Sequence, residues 1–311
     1  MYIGVDLGGT NIAIGIVSAN GHILHQGSTP TLKERPIEEI VKDMAKLINK
    51  LCDEYGCKLE DISGVGIGSP GTIDYNNGEV VYSNNLRMKN YPMAEELSKL
   101  INRPVKIDND ANCAAMGEYK INGNGVKDFV LITLGTGVGG GIIANGKMIR
   151  GFNGAGGEAG HITLIAGGEP CSCGRRGCWE AYASVTALIR QTKKAMEENP
   201  DSLMNEIAER DGKVSGRTAF EAAKAGDKAG QMVVDNYRYY IAEGLISMIN
   251  IFQPKMVAIG GGISREGEYL LGPIREYVIK NNYNKLLEMP EIVTAKLMND
   301  AGIVGAAMIA K

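Results

Sequence analysis

The chain carries the same pattern of apolar runs and glycine turns twice. The first copy comprises, in order, Tyr2–Leu7, Gly8-Gly9-Thr10-Asn11, Ile12–Val17, Asn20-Gly21 and Ile23–Gln26. The second copy comprises Phe129–Leu134, Gly135-Thr136-Gly137-Val138-Gly139-Gly140-Gly141, Ile142-Ile143, Asn145-Gly146 and Met148-Ile149. Short apolar runs joined by glycine turns and Asn-Gly pairs are typical of β-hairpins. The repeat therefore predicts a duplicated architecture in which each half opens with such a hairpin and a cleft lies between two lobes.

The segments outside these two copies alternate between helix and strand patterns. Apolar residues at helical spacing predict, for example, a helix over 181–198, and a short apolar run predicts a strand over 256–259. This alternation places the chain in the α/β class. A length of 311 residues favours about two domains. The bounds that we predict are 1–111 plus 300–311 for an N-terminal lobe and 112–299 for a larger C-terminal lobe.

Composition and charge argue against several classes of function. The net charge is -3 with no basic block, so binding to nucleic acid or to an anionic membrane has no electrostatic support. No apolar stretch reaches the ~20 residues that a membrane-spanning helix requires. The chain opens directly into an apolar run at Tyr2 rather than into a signal peptide. We therefore expect a soluble, cytoplasmic protein.

The two glycine turns have two interpretations. Gly8-Gly9 with Thr10, and Gly135–Gly137 with Thr136, expose backbone amides that can form anion-binding nests for a polyphosphate. They can also be tight turns that use glycine for its access to positive φ. The repetition, together with a third glycine cluster at Gly260–Gly262, favours phosphate binding.

Two nucleotide-binding motifs are disfavoured. Gly135-x-Gly137-x-x-Gly140 has the spacing of the dinucleotide fingerprint, but Ile142–Gly146 predicts strand and turn instead of the helix that binds a pyrophosphate. Neither turn contains the Gly-Lys-Ser or Gly-Lys-Thr of a Walker motif. An oxidoreductase is thus a weak alternative. Asp6, near the end of the first run, can either orient the water shell of a Mg²⁺ that bridges phosphates or cap its own turn.

The strand-to-helix junction ahead of Ala111–Lys120 contains the candidate catalytic group. A carboxylate at such a junction is held rigidly, and the helix N-terminus helps to keep it ionised. We interpret Asp110 as a general base that accepts a proton from an attacking hydroxyl. The alternative is that Asp108, Asn109 or Asp110 only caps the helix.

A metal site is indicated by four residues with soft or borderline ligand atoms: His161, Cys171, Cys173 and Cys178. Three thiols and one imidazole fit tetrahedral Zn²⁺, and four protein ligands are typical of a structural site. The segment 158–180 is rich in glycine and poor in apolar residues, so zinc would supply the ordering that burial cannot. The alternative is a loop with free cysteines.

Two carboxylates, Glu158 and Glu180, flank this cluster. Held at fixed positions by a metal-braced loop, they would form a receptor for vicinal hydroxyls. The alternative for each is a solvated charge, which is the more common role of a single glutamate. The pairing beside a metal cluster favours the receptor.

Several stretches resemble, in the same order, the signatures of the ROK family, which groups repressors, open reading frames and sugar kinases. They are Asp6-Leu7-Gly8-Gly9-Thr10-Asn11, Asn109-Asp110-Ala111-Asn112, Gly135-Thr136-Gly137-Val138-Gly139-Gly140-Gly141, Gly157-Glu158-Ala159-Gly160-His161 and Cys171-Ser172-Cys173-Gly174-Arg175-Arg176-Gly177-Cys178-Trp179-Glu180. The similarity spans nearly the whole chain, and the cysteine segment is its most specific part.

This resemblance implies an actin-like, ribonuclease-H-type fold whose lobes close on substrate, and ATP-dependent phosphorylation of a hexose at its 6-hydroxyl. It implies that Asp110 is the base and that ATP, Mg²⁺ and a structural Zn²⁺ are the cofactors. The residues expected to contact the sugar are Gly71, Asn85, Asn109, Asp110, Glu158, His161 and Glu180, with His161 also binding zinc. The residues expected to hold the nucleotide are Asp6, Gly8, Gly9, Thr10, Asn11, Thr136, Gly137, Gly139, Gly140, Gly260 and Gly261.

Glucose is the expected hexose, with N-acetylmannosamine, N-acetylglucosamine and fructose as alternatives. A sugar-sensing protein without catalysis is an alternative from another class, and the intact Asp110 and phosphate turns argue against it. Repressors of the family carry a DNA-binding helix-turn-helix before the kinase-like core, whereas the first strand here begins at Tyr2, which favours an enzyme. Members commonly form dimers or tetramers, so we expect a homodimer or homotetramer.

Overall fold

The computed structural model describes residues 1–123 and 125–311. Its strands are β1 (Tyr2–Leu7), β2 (Asn11–Val17), β3 (Ile23–Pro30), β4 (Gly64–Ser69), β5 (Thr72–Asp74), β6 (Glu79–Ser83), β7 (Met88–Tyr91), β8 (Val105–Asn109), β9 (Phe129–Leu134), β10 (Val138–Ala144), β11 (Lys147–Met148), β12 (Met256–Gly260) and β13 (Glu291–Thr294). Its α-helices are α1 (Ile37–Tyr55), α2 (Met93–Ile101), α3 (Asp110–Asn122), α4 (Glu180–Ala183), α5 (Val185–Glu198), α6 (Leu203–Arg210), α7 (Thr218–Lys224), α8 (Lys228–Phe252), α9 (Glu268–Asn281) and α10 (Ala301–Ile309). The predicted α/β class is confirmed.

The first sheet opens with the predicted hairpin. β1 pairs antiparallel with β2, which pairs antiparallel with β3. β4 pairs in parallel with β1, and β8 in parallel with β4, so the sheet has the order β3-β2-β1-β4-β8. Asp6 therefore lies on the central strand, opposite Ala13 on one side and Gly68 on the other.

Alternate residues of β1 face opposite sides of this sheet, as a period of two requires. Ile3, Val5 and Leu7 are fully buried in a core that includes residues of α1 and α2. Gly4 faces α10, where a Cβ atom would lie 1.8 Å from the carbonyl oxygen of Ile303. Glycine therefore allows α10 to pack directly on the central strand, and α10 also packs against α3.

The second sheet repeats this arrangement, with the order β11-β10-β9-β12-β13. Its hairpin strands lie at one side, with β10 antiparallel to β11, and at the other side β12 and β13 are parallel. The predicted duplication is thus confirmed at the level of strand order. A small antiparallel sheet, β5-β6-β7, is inserted in the sequence between β4 and α2.

The chain divides into two compact units. Unit 1 comprises 1–131, 141–157 and 296–311, and unit 2 comprises 132–140 and 158–295. These units differ from the predicted domain bounds because α3, which packs against α10, and also residues 141–157 belong to unit 1. The domain bounds themselves stay a prediction.

In unit 2, the fully buried Trp179 attaches the cysteine segment to α8. Its Nε1 donates to the carbonyl oxygen of Tyr240 at 2.8 Å, and a Cβ atom at Gly244 would lie 1.9 Å from the indole. The helix predicted over 181–198 is wrong at Ser184, which is extended and accepts a hydrogen bond from the amide of Ala187 at 3.1 Å. Ser184 ends α4 and caps α5, so the segment that was predicted as a single helix forms two helices.

Among the described residues, no helix combines the length and the apolar character needed to cross a membrane.

Candidate active site

The candidate catalytic residues lie where β8 ends and α3 begins. Asn109 is the N-cap of α3, since its Oδ1 accepts hydrogen bonds from the amides of Ala111 at 2.9 Å and Asn112 at 3.3 Å. Its Nδ2 donates to the carbonyl oxygen of Gly71 at 3.1 Å. Capping is thus mainly the role of Asn109, which leaves the carboxylate of Asp110 available for another role.

Asp110 is partly buried at the first position of α3. Its Oδ1 accepts a hydrogen bond from the amide of Ala111 at 2.8 Å. Burial raises the pKa of Asp110, and this effect outweighs the backbone hydrogen bonds, which lower it. The helix N-terminus favours the ionised carboxylate, as expected, but desolvation has the larger effect on the pKa of Asp110. A raised pKa makes the ionised carboxylate a stronger proton acceptor, which suits a general base.

A second carboxylate, Asp6, lies in the same unit and interacts with Asp110. Burial raises the pKa of Asp6 to about 6, and the negative charge of Asp110 adds to this rise. A Cβ atom at Gly302 of α10 would lie 2.7 Å from Oδ2 of Asp6, so glycine leaves room for the carboxylate. Neighbouring carboxylates that are shielded from water favour a proton or a divalent cation beside them.

The first glycine turn is held by the strand β3. The amide of Gly8 donates to the carbonyl oxygen of Asn11 at 2.9 Å. Thr31, directly after β3, donates from Oγ1 to the carbonyl oxygen of Gly8 at 2.7 Å and from its amide to that of Thr10 at 2.8 Å. Gly8 and Gly9 do not have positive φ, and a Cβ atom at Gly9 would meet no neighbouring atom within 4 Å. Positive φ therefore does not explain the glycines of this turn.

The second glycine turn is held by the helices that follow the cysteine segment. The amide of Val138 donates to Oε2 of Glu180 at 3.0 Å, and a Cβ atom at Gly137 would lie 2.3 Å from the same oxygen. The amide of Val185 donates to the carbonyl oxygen of Gly135 at 2.8 Å, and Oγ1 of Thr186 donates to that of Thr136 at 2.7 Å. Gly135, Gly137, Gly139 and Gly140 do not have positive φ. In this turn, a side chain at 137 would displace the carboxylate of Glu180 from its position against the backbone.

The side chain of Glu180 has contacts that sequence reasoning missed. Beyond the bond from Val138, its Oε1 accepts a hydrogen bond from Oγ of Ser172 at 2.9 Å. Glu180 therefore connects the cysteine segment to the second turn. Its contact with a sugar stays a prediction.

The four predicted metal ligands converge in unit 2. The ligand atoms of His161, Cys171, Cys173 and Cys178 all lie within 4.8 Å of one another. Nδ1 of His161 is 3.7 Å from Sγ of Cys171, and the Sγ atoms of Cys173 and Cys178 are 3.7 Å apart. Tetrahedral zinc with Zn–S bonds of about 2.3 Å places its ligand atoms roughly 3.8 Å apart. The geometry of the cluster thus fits Zn²⁺, and Nδ1 is the nitrogen of His161 that faces Cys171.

The remaining predicted sugar-binding residues lie in loops. Gly71 has a φ of 114°, and a Cβ atom there would lie 2.2 Å from the carbonyl oxygen of Tyr82, so the backbone alone requires glycine. Asn85 is exposed between β6 and β7. The carbonyl oxygen of Glu158 accepts a hydrogen bond from the amide of His161 at 3.0 Å. Sugar binding by these residues stays a prediction.

The third glycine cluster follows β12. Gly261 has a φ of 89°, and a Cβ atom there would lie 2.1 Å from the carbonyl oxygen of Leu134, so packing explains this glycine without a ligand. Gly260 is the buried last residue of β12. Gly262 borders a cavity of about 530 Å³ with an apolar part formed by Val185 and Ile263.

This cavity is lined by more basic than acidic side chains. Asp211 pairs with Arg210 at 2.9 Å, the charges of Arg217 and Lys213 also act on it and lower its pKa, and Glu266 pairs with Lys224 at 2.5 Å. The three basic residues of the cavity have no ion-pair partner among the described residues; they are Lys213, Arg217 and Arg265. An apolar wall beside an excess of basic side chains suits a ligand that joins a flat ring to anionic groups.

Sequence reasoning also missed Arg150, Tyr75 and Thr31. Arg150 donates from Nε and Nη2 to Oδ2 of the buried Asp108 at 2.8 and 2.7 Å. The position of Arg150 before a glycine-rich loop is only a weak sequence signal for its bond to Asp108. The sequence around Tyr75 and Thr31 carries no such signal.

Two equivalent sheets, a glycine turn after the first strand of each, and a carboxylate at a strand-to-helix junction define an α/β protein of the actin-like ATPase class. The ROK family model matches residues 2–311, and the chain belongs to that family.

The similarity extends over the full length of several relatives. The chain is 40% identical to the glucokinase of Thermotoga maritima over 311 residues, which cover 99% of this chain and 96% of the relative. It is 36% identical to the glucokinase of Halalkalibacterium halodurans over 312 residues, which cover 100% and 94%. The solved ROK glucokinase of Streptomyces griseus, in complex with glucose and AMPPNP, matches with a TM-score of 0.82 and 35% identity over 99% of this chain and 98% of that chain. The fold implied by the sequence resemblance is thereby confirmed.

Proposed function

We propose that this chain is a glucokinase, which transfers the γ-phosphoryl group of ATP to the 6-hydroxyl of glucose. The observation that carries the proposal is the carboxylate of Asp110 at the start of a helix that Asn109 caps. Membership of the ROK family and the similarity to bacterial glucokinases, one of them solved with glucose and AMPPNP, support the same activity.

Asp110 is the proposed general base. It orients the 6-hydroxyl toward the γ-phosphorus and accepts its proton as the new P–O bond forms and the bond from the γ-phosphorus to the bridging oxygen of ADP breaks. The transition state of such a transfer is loose, so positioning and charge neutralisation contribute more than basicity. The raised pKa of Asp110 is compatible with this role, because proton transfer comes late.

Asp6 is the residue proposed to help hold Mg²⁺. A bound Mg²⁺ supplies charge neutralisation at the transferred phosphate. Burial and the charge of Asp110 raise the pKa of Asp6 to about 6, so the ionised form of Asp6 is disfavoured. A nearby cation would stabilise that ionised form, which is why Asp6 suits a Mg²⁺ site. The amides of both glycine turns, with Thr10 and Thr136, are proposed to bind phosphate oxygens. The adenosine is proposed to occupy the cavity beside Gly262, with its ring against the apolar wall of Val185 and Ile263.

The cysteine cluster is proposed to hold a structural Zn²⁺. The support is the mutual distance of the ligand atoms, all within 4.8 Å. Burial raises the pKa of Cys178 to about 12, so a cation is needed to hold this thiol as a thiolate. The residues proposed to bind the sugar are Gly71, Asn85, Asn109, Glu158, His161 and Glu180. A cytoplasmic location and a homodimeric or homotetrameric assembly also remain proposals, and light scattering tests the assembly.

An ATP-coupled assay with glucose, N-acetylmannosamine, N-acetylglucosamine and fructose tests the activity. We expect the highest kcat/KM for glucose. Asp110→Asn should lower kcat by about 10²–10⁴-fold while calorimetric glucose binding changes by no more than about threefold. The matched control is Asp53→Asn on the exposed surface of α1, which should keep wild-type activity.

Each contrary result has a defined meaning. Wild-type turnover in Asp110→Asn would remove Asp110 from its role. A higher kcat/KM for another sugar of the panel would favour the alternative kinase, and sugar binding without any turnover would favour a non-catalytic sensor.

A further inference from the structure

The buried carboxylate of Asp108 is not used by the proposed reaction, although it lies two residues before Asp110. Asp108 is 2% exposed. Its Oδ1 accepts hydrogen bonds from the amide of Asn109 at 2.8 Å and from Nδ2 of Asn112 at 3.0 Å. These donors precede and follow Asp110 in the chain. Asp108 therefore holds the backbone directly before the proposed base and the side chain of Asn112 after it.

The other oxygen of Asp108 is held by Arg150. Nε and Nη2 of Arg150 lie 2.8 and 2.7 Å from Oδ2. A buried ion pair is tolerated when its remaining hydrogen-bonding capacity is satisfied, and each oxygen of Asp108 has two donors. The charges of Asp6, Asp108, Asp110 and Arg150 all act on the thiol of Cys113; we call these four residues the charged cluster. Arg150 is the cation of that cluster.

Arg150 is itself fixed by Tyr75. Its Cζ lies 3.9 Å from the centroid of the Tyr75 ring, a distance at which a guanidinium stacks on an aromatic face. Tyr75 follows β5, and directly before β5 lies Gly71, whose carbonyl oxygen accepts a hydrogen bond from Asn109. The carbonyl oxygen of Arg150 accepts a hydrogen bond from the amide of Gly156 at 2.9 Å. These contacts connect the Gly71 turn, the β8–α3 junction and the loop that follows Arg150.

We propose that Arg150 is a positioning residue, which acts through Asp108 to set the Asn109–Asp110 turn while Tyr75 holds the plane of its guanidinium. The inference rests on the proposed function, because the group that is positioned is the proposed base. Lysine cannot substitute, since a single ammonium group on a flexible stem reproduces neither the fork that binds Oδ2 nor the stacking on a ring.

The test compares Arg150→Lys, Arg150→Met, Asp108→Asn and the double variant Asp108→Asn/Arg150→Met. The double variant removes both charges of the pair, so it remains measurable if a single variant leaves an unpaired charge and does not fold. Arg87→Met is the matched control, because it breaks the exposed ion pair of Arg87 with Glu34 at 2.6 Å in the same unit. Thermal unfolding establishes that each variant is folded.

We expect each test variant to lower kcat by about 10–100-fold while KM for ATP stays within about twofold of wild type. The double variant should lose no more than the larger single loss, because the two side chains act as one unit. Arg87→Met should keep wild-type kcat. A folded Arg150→Met with a kcat within about twofold of wild type, or losses that multiply in the double variant, would overturn the inference.

Hydrogen exchange of the substrate-free protein provides a readout that does not depend on turnover. We expect the amides of 109–112 to exchange at least about tenfold faster in Arg150→Lys and in the double variant, with no change in Arg87→Met. Unchanged exchange at 109–112 would overturn the inference. If the wild type phosphorylates no sugar, the proposed function fails, and the exchange rates alone decide whether Arg150 sets this turn.

Discussion

The two glycine turns follow equivalent strands but are held in different ways. The first turn, after β1, is held within its own sheet, where Thr31 donates to the carbonyl oxygen of Gly8 at 2.7 Å. The second turn, after β9, is held by residues that follow the cysteine segment. Glu180 accepts a hydrogen bond from the amide of Val138 at 3.0 Å, and the amide of Val185 donates to the turn at 2.8 Å.

This difference shows what a duplicated topology does and does not determine. Strand order places a glycine turn at the same position in each sheet. The support of the turn depends on neighbouring segments, and for the second turn it depends on a segment that a metal is proposed to order. The charge also differs, since Asp6 is the penultimate residue of β1 while Thr133 has that position in β9. We therefore expect metal loss to affect the second turn and charge removal to affect the first.

Loss of the zinc site should have the largest effect. We expect Cys178→Ser to lose the bound metal, which amounts to about one zinc per chain in the wild type. Kinase activity should fall below detection, because the segment that carries Glu180 loses its order. Hydrogen exchange should accelerate at 135–138 and stay unchanged at 8–11. Cys57→Ser, outside the cluster, is the control. Equal acceleration at both turns would refute the difference in support, and a zinc-free wild type with full activity would refute the structural role of the metal.

Removal of the charge at the first turn comes next. Asp6→Asn should lower kcat by roughly 10–100-fold and raise the Mg²⁺ concentration needed for half-maximal rate, because a proposed partner of the cation is lost. The matched control is Thr133→Ser, at the equivalent position of β9, which should keep the wild-type Mg²⁺ dependence. A wild-type Mg²⁺ dependence in Asp6→Asn would exclude Asp6 as a partner.

The same Asp6→Asn variant should be more stable than the wild type at neutral pH. The pKa of Asp6 is raised from 3.8 to about 6, so the folded protein binds this proton more tightly than the unfolded chain. As pH rises from 3.8 to about 6, the carboxyl group ionises first in the unfolded chain. The free energy of unfolding of the wild type therefore falls by about 1–3 kcal/mol, and the whole loss is present above pH 6. Asparagine does not ionise. Urea unfolding should thus show a larger advantage of the variant at pH 7.5 than at pH 4, and an equal difference at both would contradict the shift.

Glu180→Ala should have a smaller effect, confined to the second turn. We expect KM for ATP to rise about tenfold, since a hydrogen bond from Val138 to a charged group is lost. Glu169→Ala, an exposed glutamate of the same segment, is the control. If glucose affinity falls while KM for ATP is unchanged, Glu180 acts on the sugar and does not support the turn.

Thr31→Val should have the smallest effect. Loss of the hydrogen bond to Gly8 should raise KM for ATP about three- to fivefold, because a single neutral hydrogen bond contributes about 1 kcal/mol. Ser28→Ala, an exposed residue of β3, provides the baseline. Steady-state kinetics measure KM for ATP in both variants. If Thr31→Val raised KM for ATP more than Glu180→Ala does, the first turn would depend more on its side-chain support than the second.

The parts of the fold that depend on local pattern were predictable from the sequence. Alternating apolar residues and Asn-Gly pairs act within a few positions, so both hairpins were found. The break at Ser184 was not predicted, because it depends on a cap and on the bond from Val185 to a turn far away in the sequence. A glycine in the sequence does not by itself indicate a backbone conformation, since Gly261 has positive φ and Gly9 does not.

The candidate site shows the same division. Asp110 and the metal ligands were proposed from sequence because their residue types and spacing carry the chemistry. Arg150 and Tyr75 were not, because their partners lie far along the chain: Arg150 pairs with Asp108, and Tyr75 stacks on Arg150. Spacing along the chain cannot indicate such contacts, so these residues became visible only in the folded structure.

The close contact between α3 and α10 has a consequence for the order of synthesis. A Cβ atom at Gly305 would lie 1.5 Å from the carbonyl oxygen of Cys113, and one at Gly117 would lie 2.4 Å from that of Ala301. The helix that begins with Asp110 therefore packs against a helix that is synthesised almost two hundred positions later in the chain. A nascent chain should remain inactive until α10 has left the exit tunnel, however early its first sheet has folded.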